Sequence, residues 1–82
     1  MESVQALIDD ARREYAHNEM TDPILLDGTS EMHARNSLGL LLNDRWDEAL
    51  SEARIAAQQR SRWQHFFEIV VSIHTTQKDL LM

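Results

Sequence analysis

Cysteine is absent from the 82 residues, which excludes a disulfide framework, a thiolate zinc clip and thiol catalysis. Proline occurs once, at position 23, and glycine twice, at positions 28 and 39, so little in the chain forces the backbone to turn. The two glycines stand too far apart to form a phosphate cradle, and no nucleophile elbow or glycine-rich oxyanion loop is present. No segment approaches the roughly 20 uninterrupted apolar residues that span a bilayer. Met1-Glu2-Ser3-Val4 also lacks the positive region and apolar core of a signal peptide, so a cytoplasmic protein without a membrane partner is expected. Basic residues are few, 8 Lys+Arg against 14 Asp+Glu, and a net charge of −6 argues against nucleic acid as a direct ligand.

The acids that are present are unevenly placed. Residues 1 to 31 hold eight of them (Glu2, Asp9, Asp10, Glu14, Glu19, Asp22, Asp27, Glu31) against Arg12 and Arg13, whereas residues 32 to 82 hold six against six bases. An anionic face of this kind steers basic partners through attraction that salt weakens. Asp9, Asp10 and Glu14 are therefore the candidate partner-binding residues. An ordinary solvated helix surface is the plainer account of the same charges.

Apolar residues recur at three- and four-residue steps rather than alternating, so an all-α fold is expected: a small single-domain bundle of four helices, at about 3–19, 30–43, 45–60 and 62–79. Ser3 is placed to cap the first, whose apolar stripe is Val4, Leu7, Ile8, Ala11 and Tyr15. The segment 21–29 holds the turn formers Asp22-Pro23 and Asp27-Gly28 around Ile24-Leu25-Leu26, and reads as a loop folded over the core. Thr29 or Ser30 is placed to cap the second helix, with Met32, Ala34, Leu38, Leu41 and Leu42 as its stripe, and Asn43-Asp44 to stop it and cap the third. Gly39 falls inside that second helix, where close approach of a neighbour would explain it and a kink is the rival account.

From Arg45 onward Trp46, Ala49, Ala53, Ala56, Trp63, Phe67 and Val70 follow one track that also carries Arg60 and His74. A continuous helix fits this track. Gln58-Gln59-Arg60 interrupts it, however, and Ser61-Arg62-Trp63-Gln64 matches a capping box, so two helices are expected. The last has apolar residues around most of its circumference for two turns. Trp63, Phe66, Phe67, Val70 and Ile73 must then be covered either by the other helices or by a second chain, and a homodimer is the expected assembly.

The stretch from Ala34 to Ala57, with Leu38-Gly39 followed by Arg45-Trp46-Asp47-Glu48-Ala49-Leu50, resembles a tetratricopeptide helical hairpin. The resemblance covers under a third of the chain, its inter-helix segment is shorter than the family's, and neither a second copy nor a terminal proline follows. It implies two helices packed as an antiparallel pair.

Four histidines, at 17, 33, 65 and 74, are the candidate bases. Glu14-x-x-His17 and His65-x-x-Glu68 each put an imidazole and a carboxylate on one helix face, but a di-iron carboxylate bundle requires a repeated Glu-x-x-His motif plus two further glutamates. No metal, cofactor or catalytic residue is assigned, and a surface ion pair is the expected role of His65 and Glu68. His74 is expected at the core edge with one ring nitrogen bonded to a carbonyl or water. Trp46 and Trp63 are expected in the core, and Arg54, Arg60 and Arg62 are expected to pair with the acidic first helix. The function that fits is a non-enzymatic protein-binding module, a small acidic regulator, adaptor or inhibitor. A narrower version is a nucleic-acid mimic that occupies a basic groove, as phage-encoded antagonists do, and the competing class is a helical-bundle enzyme or metal protein using Glu14, His17, His65 and Glu68.

Overall fold

The computed structural model describes residues 3–21 and 28–81. Four α-helices, α1 (Val4–Thr21), α2 (Gly28–Leu42), α3 (Trp46–Gln59) and α4 (Gln64–Leu81), pack together, with a 3-10 turn over Ser61–Trp63 leading into α4. No strand occurs among the described residues, and none of their helices is long and apolar enough to cross a membrane. The expected covering loop Ile24-Leu25-Leu26 lies outside them. The packing order is α2 on α3, α3 on α4 and α4 on α1, with a lighter contact between α1 and α2.

Each boundary has a local cause. Ser3 caps α1: its Oγ accepts from the Ala6 amide at 3.2 Å, satisfying a donor that the first turn leaves without a helical partner. The helix α2 begins at Gly28, so Thr29 and Ser30 lie within its first turn rather than before it, and Ser30 is buried. Its end is a Schellman motif: the Arg45 amide donates to the Leu40 carbonyl (2.9 Å), the Asp44 amide to that of Leu41 (3.3 Å), and Asp44 adopts a left-handed φ of 61°. Asn43-Asp44 thus stops α2 as expected. It does not cap α3, whose N-cap is Arg45 without a side-chain bond; Asp47 and Glu48 in the first turn complement the helix dipole instead.

The third and fourth helices are separate. Arg60 turns to extended geometry (φ −142°, ψ 125°), and the break carries no side-chain cap, so the capping box expected at Ser61 and Gln64 is not what makes it. The turn that follows inserts Trp63 into the core at 1% exposure, tilted against Tyr15 (ring centroids 5.7 Å apart) and edge-on to Phe66 (5.8 Å). The apolar area of the buried indole offsets the helical hydrogen bonds given up at the break.

The core runs through Leu7, Ile8 and Ala11 of α1, Ala34 and Leu41 of α2, Ala49, Ala53 and Ala56 of α3, and Trp63, Phe66, Val70 and Ile73. Small residues let α2 and α3 approach closely: Ser37, wholly buried, donates from Oγ to the Ala49 carbonyl at 2.7 Å. This is the antiparallel pair that the tetratricopeptide-like stretch implies. Gly39 has no part in the close approach, since a Cβ built there meets no atom within 4 Å. The expected α2 stripe is also corrected: Met32 and Leu42 are exposed, because on a 3.6-residue turn Met32 lies opposite the buried line of Ala34, Ser37 and Leu41 and Leu42 falls about 100° to its side.

Covering for α4 comes from within the chain. Phe66, Val70 and Ile73 are wholly buried between α1 and α3, while Phe67 and Ile69 are half-buried and Val71 is exposed. Trp63, Phe66, Val70 and Ile73 are thus core residues of a single chain, and Phe67 packs at the core margin. Trp46, expected in the core, is likewise half-buried against it.

Candidate functional site

Residues that flank a helix's buried stripe by three or four positions border the neighbouring helix, and on α1 and α4 those positions are polar. Leu7, Asp10, Arg13, Glu14 and His17 of α1 face His65, Glu68, Ile69 and Ser72 of α4 across an open groove of about 530 Å³. Leu7 and Ile69 supply its apolar part, and the carboxylates of Asp10, Glu14 and Glu68 are the anionic lining. Apart from the imidazoles, Arg13 is the one basic side chain among the described residues of the lining, and it is paired with Asp10 on its own helix. The groove therefore carries net negative charge.

Several of these groups are held. Asn18, 6% exposed, donates from Nδ2 to both the carbonyl (3.2 Å) and the carboxylate Oε2 (3.3 Å) of Glu14. The Asn18 carbonyl in turn accepts from Arg62 Nη2 at 2.7 Å, and the Arg62 guanidinium lies 5.6 Å from the centre of the Trp63 ring. A chain of contacts thus runs from the groove lining to the core indole and ties the turn before α4 to α1. On α4, Gln64 donates to Glu68 Oε2 (3.4 Å), and His65 Nδ1 lies 3.7 Å from Glu68 Oε1, the expected surface pair.

Of the three expected partner-binding residues, Asp10 and Glu14 line the groove. Asp9 does not; it accepts from Gln5 one turn earlier on α1. The four residues of the competing metal reading, Glu14, His17, His65 and Glu68, do share the groove. Among the described residues, however, no three imidazole or carboxylate groups are placed to hold a metal ion together.

The other two histidines cross between helices. His74 Nε2 meets Asp47 Oδ1 at 2.5 Å, joining α4 to the start of α3; the partner is a carboxylate rather than a carbonyl or water. His33 Nδ1 lies 2.8 Å from Glu52 Oε2, and Asn36 donates to Glu52 Oε1 (3.2 Å), so one carboxylate clamps α2 to α3. Tyr15 Oη donates to Glu31 at 2.5 Å, linking α1 with α2. These cross-helix links escape sequence reasoning because their members stand 16 to 27 positions apart with no motif between them. Of the three arginines expected to meet the first helix, Arg62 reaches it at the Asn18 carbonyl.

No family model matches the chain, and no curated protein or solved structure is significantly similar to it.

Proposed function

We propose that this domain is a non-enzymatic protein-binding module whose contact surface is the groove between α1 and α4 and whose partner presents a basic segment. The observation that carries the reading is the convergence of Asp10 and Glu14 from one helix with Glu68 from the other, beside Leu7 and Ile69. A partner segment bearing Arg or Lys next to an apolar residue satisfies both parts of such a surface at once. Carboxylates at an open rim raise association rate and selectivity more than affinity, and they do so in a salt-dependent way. This suits a small regulator, adaptor or inhibitor that meets its target by collision. An acidic mimic of nucleic acid is the narrower form of the same reading, because a basic nucleic-acid groove is one such partner surface.

The test is capture by the tethered chain from its native cell or host, with partners identified by mass and eluted by rising salt. Basic partners released by salt are expected. They should be lost when Asp10, Glu14 and Glu68 are reversed to Lys together. Capture by the reversed chain with the same salt profile would overturn the proposal.

The second reading, a metal or enzyme site, draws on Glu14, His17, His65 and Glu68 lining one groove. Stoichiometric iron, manganese or zinc in the purified protein, lost on His17→Ala with His65→Ala, would favour it over the binding module.

A further inference from the structure

Gly39 lies in the interior of α2, where glycine weakens a helix, and nothing among the described residues accounts for it. Its φ is not left-handed, and a Cβ built there would stand in open space. What surrounds it is the outward side of α2. Met32, Arg35 and Leu42 share that side, away from Ala34, Ser37 and Leu41. Met32 and Leu42 are 39% and 49% exposed, two of only four large hydrophobic side chains exposed among the described residues. Beside Gly39 an open cleft of about 430 Å³ is bordered by Arg35, Asn36 and Leu40 of α2 and by Glu48 and Glu52 of α3.

We infer that this face docks a second copy of the chain, α2 lying antiparallel to α2 about a two-fold axis level with residue 37, so that the bare backbone of each Gly39 faces Arg35 of the other copy. The charges favour a like partner over an unlike one. The face carries both signs: Arg35, its side chain 65% exposed and only 3.6 Å from Glu31, and Glu48, whose Oε1 accepts from Arg45 Nε at 2.7 Å. A uniformly basic or acidic partner would set like charges together at one of them, whereas a two-fold copy sets each against the other. The register agrees. Antiparallel pairing that brings Met32 of one copy against Leu42 of the other also brings Arg35 level with Gly39, because both pairs are centred on the same position along α2. Arg35 then enters the cleft left open by the missing side chain and reaches Glu48, a carboxylate able to accept more than one donor. In an isologous contact each of these interactions is made twice. The inference does not depend on the α1–α4 groove, whose lining shares no residue with this cleft.

Sedimentation of the full chain over a range of concentrations tests it, with Gly39→Gln as the principal variant. Glutamine is the better helix former, so the variant is expected to melt no lower than the parent while its side chain fills the approach. The parent should dimerise as concentration rises. Gly39→Gln and Arg35→Glu should each weaken the dimer by roughly tenfold or more, and Glu48→Arg added to Arg35→Glu should restore part of the loss. A parent that stays monomeric to millimolar concentration would overturn the inference. A dimer equally tight in all these variants would do the same.

Discussion

Two side chains, Trp63 and Ser37, hold more of this small fold than their number suggests, and a third, Asp44, works against it. Trp63 is the largest wholly buried residue and touches aromatic partners from α1 and α4, so Trp63→Ala removes packing from both interfaces at once. A loss of about 3–5 kcal/mol is expected in urea unfolding, most of the stability a chain of this size commands. Ser37 matters through a single bond to Ala49 in a contact too close for anything larger; Ser37→Ala should cost about 1 kcal/mol, and Ser37→Leu should cost more, since the neighbouring helix has no room to move. Asp44 sits in the left-handed position of the α2 terminus, a conformation that costs an L side chain free energy that glycine is spared. Asp44→Gly is accordingly expected to raise the unfolding free energy by about 0.5 kcal/mol, the conformational gain being partly offset by the extra freedom of glycine in the unfolded chain.

Helix existence was legible because it depends on period and on strong local signals. Ser3 before Val4 starts α1, Asn43-Asp44 ends α2, and the polar interruption at Gln58-Gln59-Arg60 marks the break before α4, each where local chemistry competes with continuation. What the pattern hid was angular phase on α2. An apolar count includes Met32 and Leu42, yet the face is chosen by Ala34, Ser37 and Leu41, and two small residues among those three make it look less hydrophobic than its opposite. The same mistake of weight assigned Gly39 to the inside. Because a Cβ at Gly39 would meet no atom within 4 Å, Gly39→Ala should stabilise the isolated monomer by roughly 1 kcal/mol; a destabilisation measured at low protein concentration would mean that α2 is bent or contacted at that position. Of the candidate site, Asp10 and Glu14 were legible from charge asymmetry and helix phase. Glu68 was legible only as a surface partner of His65 and, in the competing metal reading, beside Glu14; that it faces Asp10 and Glu14 across a groove depends on which helices become neighbours, and that is decided by long-range packing around Trp63.

At the scale of the whole molecule, charge and burial divide the work. The acids of α1 and the Glu68 edge of α4 lie on a surface that the core does not need: Asp10 is about one-third exposed and Glu68 more than half. Exposed ion pairs contribute little to stability, so reversing Asp10 and Glu68 should leave the unfolding free energy within about 0.5 kcal/mol while it weakens salt-dependent capture of a basic partner. The outward face of α2 is the converse case, where adding a side chain at Gly39 strengthens the helix and removes an approach. The two surfaces share no lining residue, which makes their independence measurable. Combining Glu14→Lys with Gly39→Gln should give stability changes that add to within about 0.5 kcal/mol, with capture lost only through the first substitution and self-association only through the second. If Glu14→Lys alone also abolished the dimer, the groove and the α2 face would belong to one contact surface, because a charge distant from a two-fold interface has no other route to dissolve it at moderate salt.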